Sequence, residues 1–184
     1  ENRYNSTQGW IDVSSTNGLQ TAEKLVNGLD ANGGTNIEAG LQLARNNLYQ
    51  RNQENSPIHD VDYLYTILLT DGKPTYGTSE KYNTWNTSEI GSSGQSGGTT
   101  NYSDVDDVSA FANQIRGVTS TSKLYSICFG TDSSGDEVWE DKLLDDQSGA
   151  PKEWKNKTVK QWLTEISSGA YSGGADGSDL FDNF

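Results

Sequence analysis

Basic residues, cysteine, methionine and hydrophobic mass are all scarce in this sequence. Only 13 lysines and arginines stand against 26 aspartates and glutamates, a net charge of -13. Phosphate binding needs clustered Lys and Arg, so nucleic acid is excluded as a partner, and so is docking on an anionic membrane surface. What remains is an acidic surface that is either simply solvated or attractive to cations and basic partners. A single cysteine, Cys128, rules out an intrachain disulfide and leaves the redox compartment unreadable. Its setting, Leu124-Tyr125-Ser126-Ile127-Cys128-Phe129, reads as a buried strand in which the thiol packs as a small hydrophobe. With no methionine even at its start, the chain reads as a mature fragment from which a targeting segment could have been removed. No run resembles a signal peptide or a transmembrane helix. Hydrophobic residues make up only 32% of the chain and mean hydropathy is -0.76, which predicts a compact centre carrying long polar loops. Its 184 residues suit a single domain, 1–184.

Periodicity supplies the elements. Leu19, Ala22, Leu25, Val26 and Leu29 are spaced three and four apart, predicting an amphipathic helix over 18–30 capped at Thr16 or Asn17. Ile37, Leu41, Ala44 and Leu48 repeat the pattern over 36–49. The nearly continuous apolar run from Asp62 to Leu69 predicts a strand covered on both faces. Val105, Val108, Phe111, Ala112 and Ile115 mark a third helix, with Ser103 and Asp106 placed as a capping box. The Cys128 strand follows. Val159, Trp162, Leu163 and Ile166 then form a helix behind Thr158, and Leu180, Phe181 and Phe184 a last short one behind Ser178. Buried strands alternating with helices predict an α/β fold, a mainly parallel sheet with helices on both faces.

Two connections exceed the roughly 2 to 6 residues usual between strand and helix. They span about 73–102 and 131–157 and emerge on the rim at the carboxyl ends of the strands, where such sheets bind ligands. Their aromatics Tyr76, Tyr82, Trp85, Tyr102, Trp139 and Trp154 suit contact with a partner, or small local cores beneath the loops.

On that same rim, Gly33-Gly34-Thr35-Asn36 opens one helix and Leu69-Thr70-Asp71-Gly72 ends the first strand. A hydroxyl and a carboxylate at neighbouring loop ends suit a hard cation. Together with Ile37-Glu38-Ala39-Gly40-Leu41, the strand ending in Phe129-Gly130, Tyr171 and the acidic stretch before the last helix, these motifs resemble the von Willebrand factor type A domain family. The resemblance covers about residues 17–184 and implies a Rossmann-like, doubly wound fold. It also implies a metal-ion-dependent adhesion site in which Thr35 and Asp71 bind Mg²⁺ or Mn²⁺ and an open position accepts a carboxylate from an extracellular protein or matrix ligand. The competing structural reading has Thr35 capping its helix and Asp71 fixing its turn.

The family's third ligand loop, Asp-x-Ser-x-Ser, is the point of departure. Asp12-Val13-Ser14-Ser15-Thr16 nearly spells it, but lies only 23 residues before Thr35, and the interval is largely filled by one helix. The family's interval holds two helices and further strands, well above ~30 residues at mean element lengths. Asp12 to Thr16 therefore reads as a loop and helix cap. The chain is expected to begin after the family's first strand, helix and next strand, and to bind metal weakly or not at all by itself.

Enzyme readings fail on order and context. Gly94-Gln95-Ser96-Gly97-Gly98 matches a nucleophile elbow by letter, yet no strand precedes it and the only histidine, His59, comes before the serine instead of after it. A phosphatase built on Asp71 would want a second aspartate where Leu69 stands, and no phosphate-cradling loop with a lysine is present. Asp132, Asp136, Glu137, Glu140 and Asp141 fit no calcium-loop spacing and read as a solvated acidic loop. The expectation is a non-enzymatic, metal-dependent adhesion module of a bacterial surface or pilus protein, extracellular and without membrane insertion. A metal-independent scaffold that binds through its loops is the alternative.

Overall fold

The computed structural model describes residues 11–28, 35–51, 63–70, 73–74, 102–130, 144, 156–169 and 171–174. The chain divides into two compact units, Glu1–Gly33 and Gly34–Phe184. The first contains helix α1 (Thr16–Asn27). Its cap is Ser15, one residue before the predicted Thr16, with the Ser15 hydroxyl accepting the Gly18 N–H at 3.1 Å. The Asp12 carboxylate accepts the Ser14 N–H at 3.0 Å and the Ser14 hydroxyl at 2.6 Å, so Asp12 to Thr16 forms the turn and cap that the spacing predicts. These bonds hold the Asp12 carboxyl below its ordinary pKa, because they favour its charged form. The helix stops at Asn27, short of the predicted residue 30, where the Gly28 N–H closes the last turn onto the Lys24 and Leu25 carbonyls. Leu19, Leu25 and Val26 are exposed.

The second unit carries helix α2 (Ile37–Arg51), strand β1 (Leu64–Thr70), helix α3 (Tyr102–Arg116), strand β2 (Ser122–Phe129), helix α4 (Val159–Ile166) and strand β3 (Tyr171–Gly174). The three strands form one parallel sheet in the order β1-β2-β3, so the described architecture is mixed α/β. Parallel neighbours need crossovers, which α3 and α4 supply. Strand β3 was not legible, since Tyr-Ser-Gly-Gly has no apolar alternation; its pairing with β2, Ser126 beside Tyr171, makes it a strand.

Even-numbered residues of β1 and β2 face one core. Leu64, Leu124 and Cys128 cluster there with Ile37, Leu41 and Leu48 of α2, Val105, Val108, Phe111, Ala112 and Ile115 of α3, and Val159, Trp162, Leu163 and Ile166 of α4. Each fully buried Leu, Val or Phe contributes about 1.5–3 kcal/mol. Cys128 is 1% exposed, the packed position its strand predicts. Leu144, from the second long connection, also joins this core, and its N–H donates to the Lys157 carbonyl at 2.8 Å.

The opposite face of β1 overturns an expectation. Tyr65, Ile67 and Leu69 alternate with the buried residues and are 54–58% exposed, so among the described residues β1 is covered on one face only. The apolar run misled because β-branched and aromatic residues favour a strand whether or not a helix covers them. Tyr65 instead stacks between Tyr63 and Tyr125, with ring centroids 6.0 Å apart on each side.

Capping at the other helices is mixed. Thr158 caps α4 as predicted, its hydroxyl accepting the Gln161 N–H at 3.2 Å while the Gln161 side chain accepts the Thr158 N–H at 2.9 Å. Helix α3 begins at Tyr102, one residue before the predicted Ser103. Polar bonds then tie α4 to its neighbours. The Trp162 indole N–H donates to the Ser109 hydroxyl oxygen at 3.1 Å, and the Ser168 N–H donates to the Leu124 carbonyl at 2.7 Å. The predicted helix behind Ser178 lies outside the described residues.

Candidate binding site at the carboxyl ends of the strands

Because the strands are parallel, their carboxyl ends share one edge of the sheet. Thr70 ends β1 beside Cys128 of β2, and Phe129 ends β2 one residue later. Gly130 then turns the chain with a φ of 93°, a conformation that glycine adopts at no steric cost. The amino end of α2 reaches the same edge. Thr35, Asn36, Ile37 and Gly40 line a cavity of about 340 Å³ together with Leu68, Leu69, Thr70 and Phe129.

Thr35 is half-buried on this wall. The helix cap is its neighbour Asn36, whose Oδ1 accepts the Ala39 N–H at 2.9 Å. That satisfies an amide of the first turn that would otherwise lack a partner. The structure thus gives the capping role to Asn36, against the reading in which Thr35 caps the helix. Thr70 is 5% exposed and directly precedes Asp71 in the chain. Asp71 itself lies outside the described residues, as do Tyr76, Tyr82, Trp85, Trp139 and Trp154, while Tyr102 is the first residue of α3. The acidic stretch from Asp132 to Asp141, the Gly94–Gly98 motif and His59 also lie outside them. Among the described residues, no three His, Cys, Asp or Glu side chains converge.

Of the cavity residues, Thr35 is the one that was singled out from sequence; Asn36, Gly40, Thr70 and Phe129 were quoted only as parts of motifs. The polar atoms of Thr35, Asn36 and Thr70 are hydroxyl and amide groups, and their oxygens suit hard cations. Ile37, Leu68, Leu69 and Phe129 make the remaining wall apolar. The first turn of α2 adds a partial positive charge at its N–H groups.

The body of α2 is held by a buried polar stripe. Arg45 is fully buried, its Nη1 donating to Gln114 Oε1 of α3 at 2.7 Å and its Nε and Nη2 to Asn46 Oδ1 at 2.9 and 2.6 Å. The guanidinium lies 4.7 Å from the centre of the Phe111 ring. Burial lowers its pKa, yet an arginine stays protonated under such a shift. Beside it, both amide atoms of Gln42 and the Asn46 Nδ2 are buried without a hydrogen-bond partner among the described residues.

Comparison of the sequence with protein-family models and with curated proteins, and of the structure with solved structures, finds no match.

Proposed function

We propose that this chain is a non-enzymatic binding module of the von Willebrand factor type A kind, which engages an extracellular protein or matrix ligand through a cation at the carboxyl ends of its strands. The observation that carries the reading is the juxtaposition, around one cavity, of Thr35 at the start of α2 and Thr70 at the end of β1. A hydroxyl on that wall and the carboxylate of the next residue, Asp71, would hold Mg²⁺ or Mn²⁺, with waters completing the near-octahedral shell. The bound ion supplies an open coordination position for a partner's carboxylate. It also offsets the repulsion that a chain of net charge -13 exerts on such a partner.

The parallel order β1-β2-β3 with crossover helices supports the Rossmann-like, doubly wound form of this reading. The long polar connections at the same rim would then select the partner, as surface loops on a rigid scaffold do. Placement on a bacterial surface or pilus follows from the resemblance and from the Asn/Ser/Thr/Gly-rich character of those connections.

The test is isothermal titration of the protein with Mg²⁺ beside Asp71→Ala and Thr35→Ala. The expected result is weak binding that falls at least tenfold in both variants. Equal binding by wild type and variants refutes the site and leaves the metal-independent scaffold.

A further inference from the structure

The two edges of the sheet are unlike each other. Strand β3 ends it on one side with four residues, Tyr171-Ser172-Gly173-Gly174, as short as protected edges commonly are. Strand β1 ends it on the other with seven, Leu64-Tyr65-Thr66-Ile67-Leu68-Leu69-Thr70, and has none of the usual protection. It carries no charge and no proline, and its register with β2 runs without a bulge from Leu64 beside Ser122 to Thr70 beside Cys128. Among the described residues, no strand pairs with its outer side. The opening shows in the burial. On the core face Thr66 and Leu68 stay half-buried, while Leu124, Ser126 and Cys128, one strand further in, are at most 1% exposed.

We infer that β1 pairs edge to edge with β1 of a second copy of this chain, antiparallel and centred on Ile67. An open strand edge is completed by another extended backbone, and this strand suits its own sequence. With Ile67 opposite Ile67, the twofold axis sets Tyr65 opposite Leu69, Thr66 opposite Leu68 and Leu64 opposite Thr70. The faces match as well. The exposed Tyr65, Ile67 and Leu69 of one copy adjoin those of the other as apolar cross-strand pairs, and no like charges meet. Each copy offers the same surface, so the assembly closes as a dimer. The pairing extends the sheet at its edge and does not depend on a cation. Two copies of net charge -13 repel each other, so the dimer tightens as salt screens that repulsion.

Sedimentation of the whole chain over a range of concentrations is expected to show a monomer–dimer equilibrium that tightens in high salt. Ile67→Lys sets two like charges face to face and should weaken dimerisation roughly tenfold or more. Its circular dichroism spectrum should match the wild type, because Ile67 is 54% exposed. Cysteines then read the register. In Ile67→Cys the facing Cα atoms lie ~4.5–5.5 Å apart, within disulfide range, and the dimer should cross-link on oxidation. In Leu69→Cys the two cysteines are offset by four positions, ~13 Å, and should not. Cys128 is 1% exposed and does not compete. A chain that stays monomeric, dimerisation that salt weakens or that Ile67→Lys leaves unchanged, or equal cross-linking of the two cysteine variants overturns the inference.

Discussion

Leu64→Ala and Leu69→Ala remove the same atoms from the same strand and should differ sharply in cost. Leu64 is 4% exposed and belongs to the core cluster, whereas Leu69 points to the other face and is 58% exposed. Truncating leucine to alanine deletes three carbons, ~2.4 kcal/mol of transfer free energy at full burial. Leu64 loses nearly all of that plus a cavity term, giving ~3 kcal/mol, within the 2–5 usual for buried leucines. Leu69 retains less than half of its burial and leaves no closed cavity, so its loss is ~1 kcal/mol. Urea unfolding monitored by tryptophan fluorescence should separate the midpoints accordingly. In thermal melts the ~2 kcal/mol gap corresponds to ~4–8 °C for a chain of this size. Equal costs for the two leucines would show that the odd-numbered face of β1 is covered after all. The one-sided covering of β1 would then be wrong.

Gln42→Leu should stabilise the protein by ~1–2 kcal/mol, read as a raised urea midpoint, because it removes a buried amide with no partner among the described residues. Thr158→Ala should cost ~1 kcal/mol and speed amide exchange in the first turn of α4, since it removes the hydroxyl that accepts the Gln161 N–H. Gly40→Ala should raise the melting temperature by ~2–4 °C, as helix propensity improves by ~1 kcal/mol and the new methyl meets nothing. Asp12 should titrate below the usual aspartate range by NMR, and Ser14→Ala should bring it back up. The sign follows from a folded pKa below the unfolded one: the stabilising contribution is present above the ordinary aspartate value and is lost as pH falls through the lower folded value. A normal Asp12 titration in the wild type would refute the turn.

Helices were the most legible part of this chain because their apolar spacing survives any context. Val159, Trp162, Leu163 and Ile166 name both the helix and its buried face, and Thr158 names its start. Burial of the strands was not legible in the same way. Ile67 and Leu69 read as core residues by type, yet only the placement of the helices decides which face of β1 is covered, and that is a tertiary fact. Leu144 shows the converse, an isolated apolar residue in a polar connection whose burial no periodicity announces. At the site, the Gly-Gly-Thr-Asn motif led to the correct helix end but not to the division of labour there. Thr35 and Asn36 are both good caps by propensity, and only the hydrogen bond from the Ala39 N–H distinguishes them. The buried stripe of Glu38, Gln42, Arg45 and Asn46 was hidden for a related reason. Charged and amide residues at helical spacing normally mark a solvated face, and nothing local reveals that α3 lies against them.

Helix α2 joins these observations, because its two ends are held by different means. Arg45 fastens the body of the helix to α3 through Gln114 and Phe111. Ile37, the first residue of the helix, lies eight residues upstream, ~12 Å along the axis at the rise of an α-helix. Gly40 sits in the first turns and weakens them, while the Asn36 cap and the burial of Ile37 and Leu41 oppose the loss. A side chain at position 40 would stiffen the helix further and narrow the cavity in the same step.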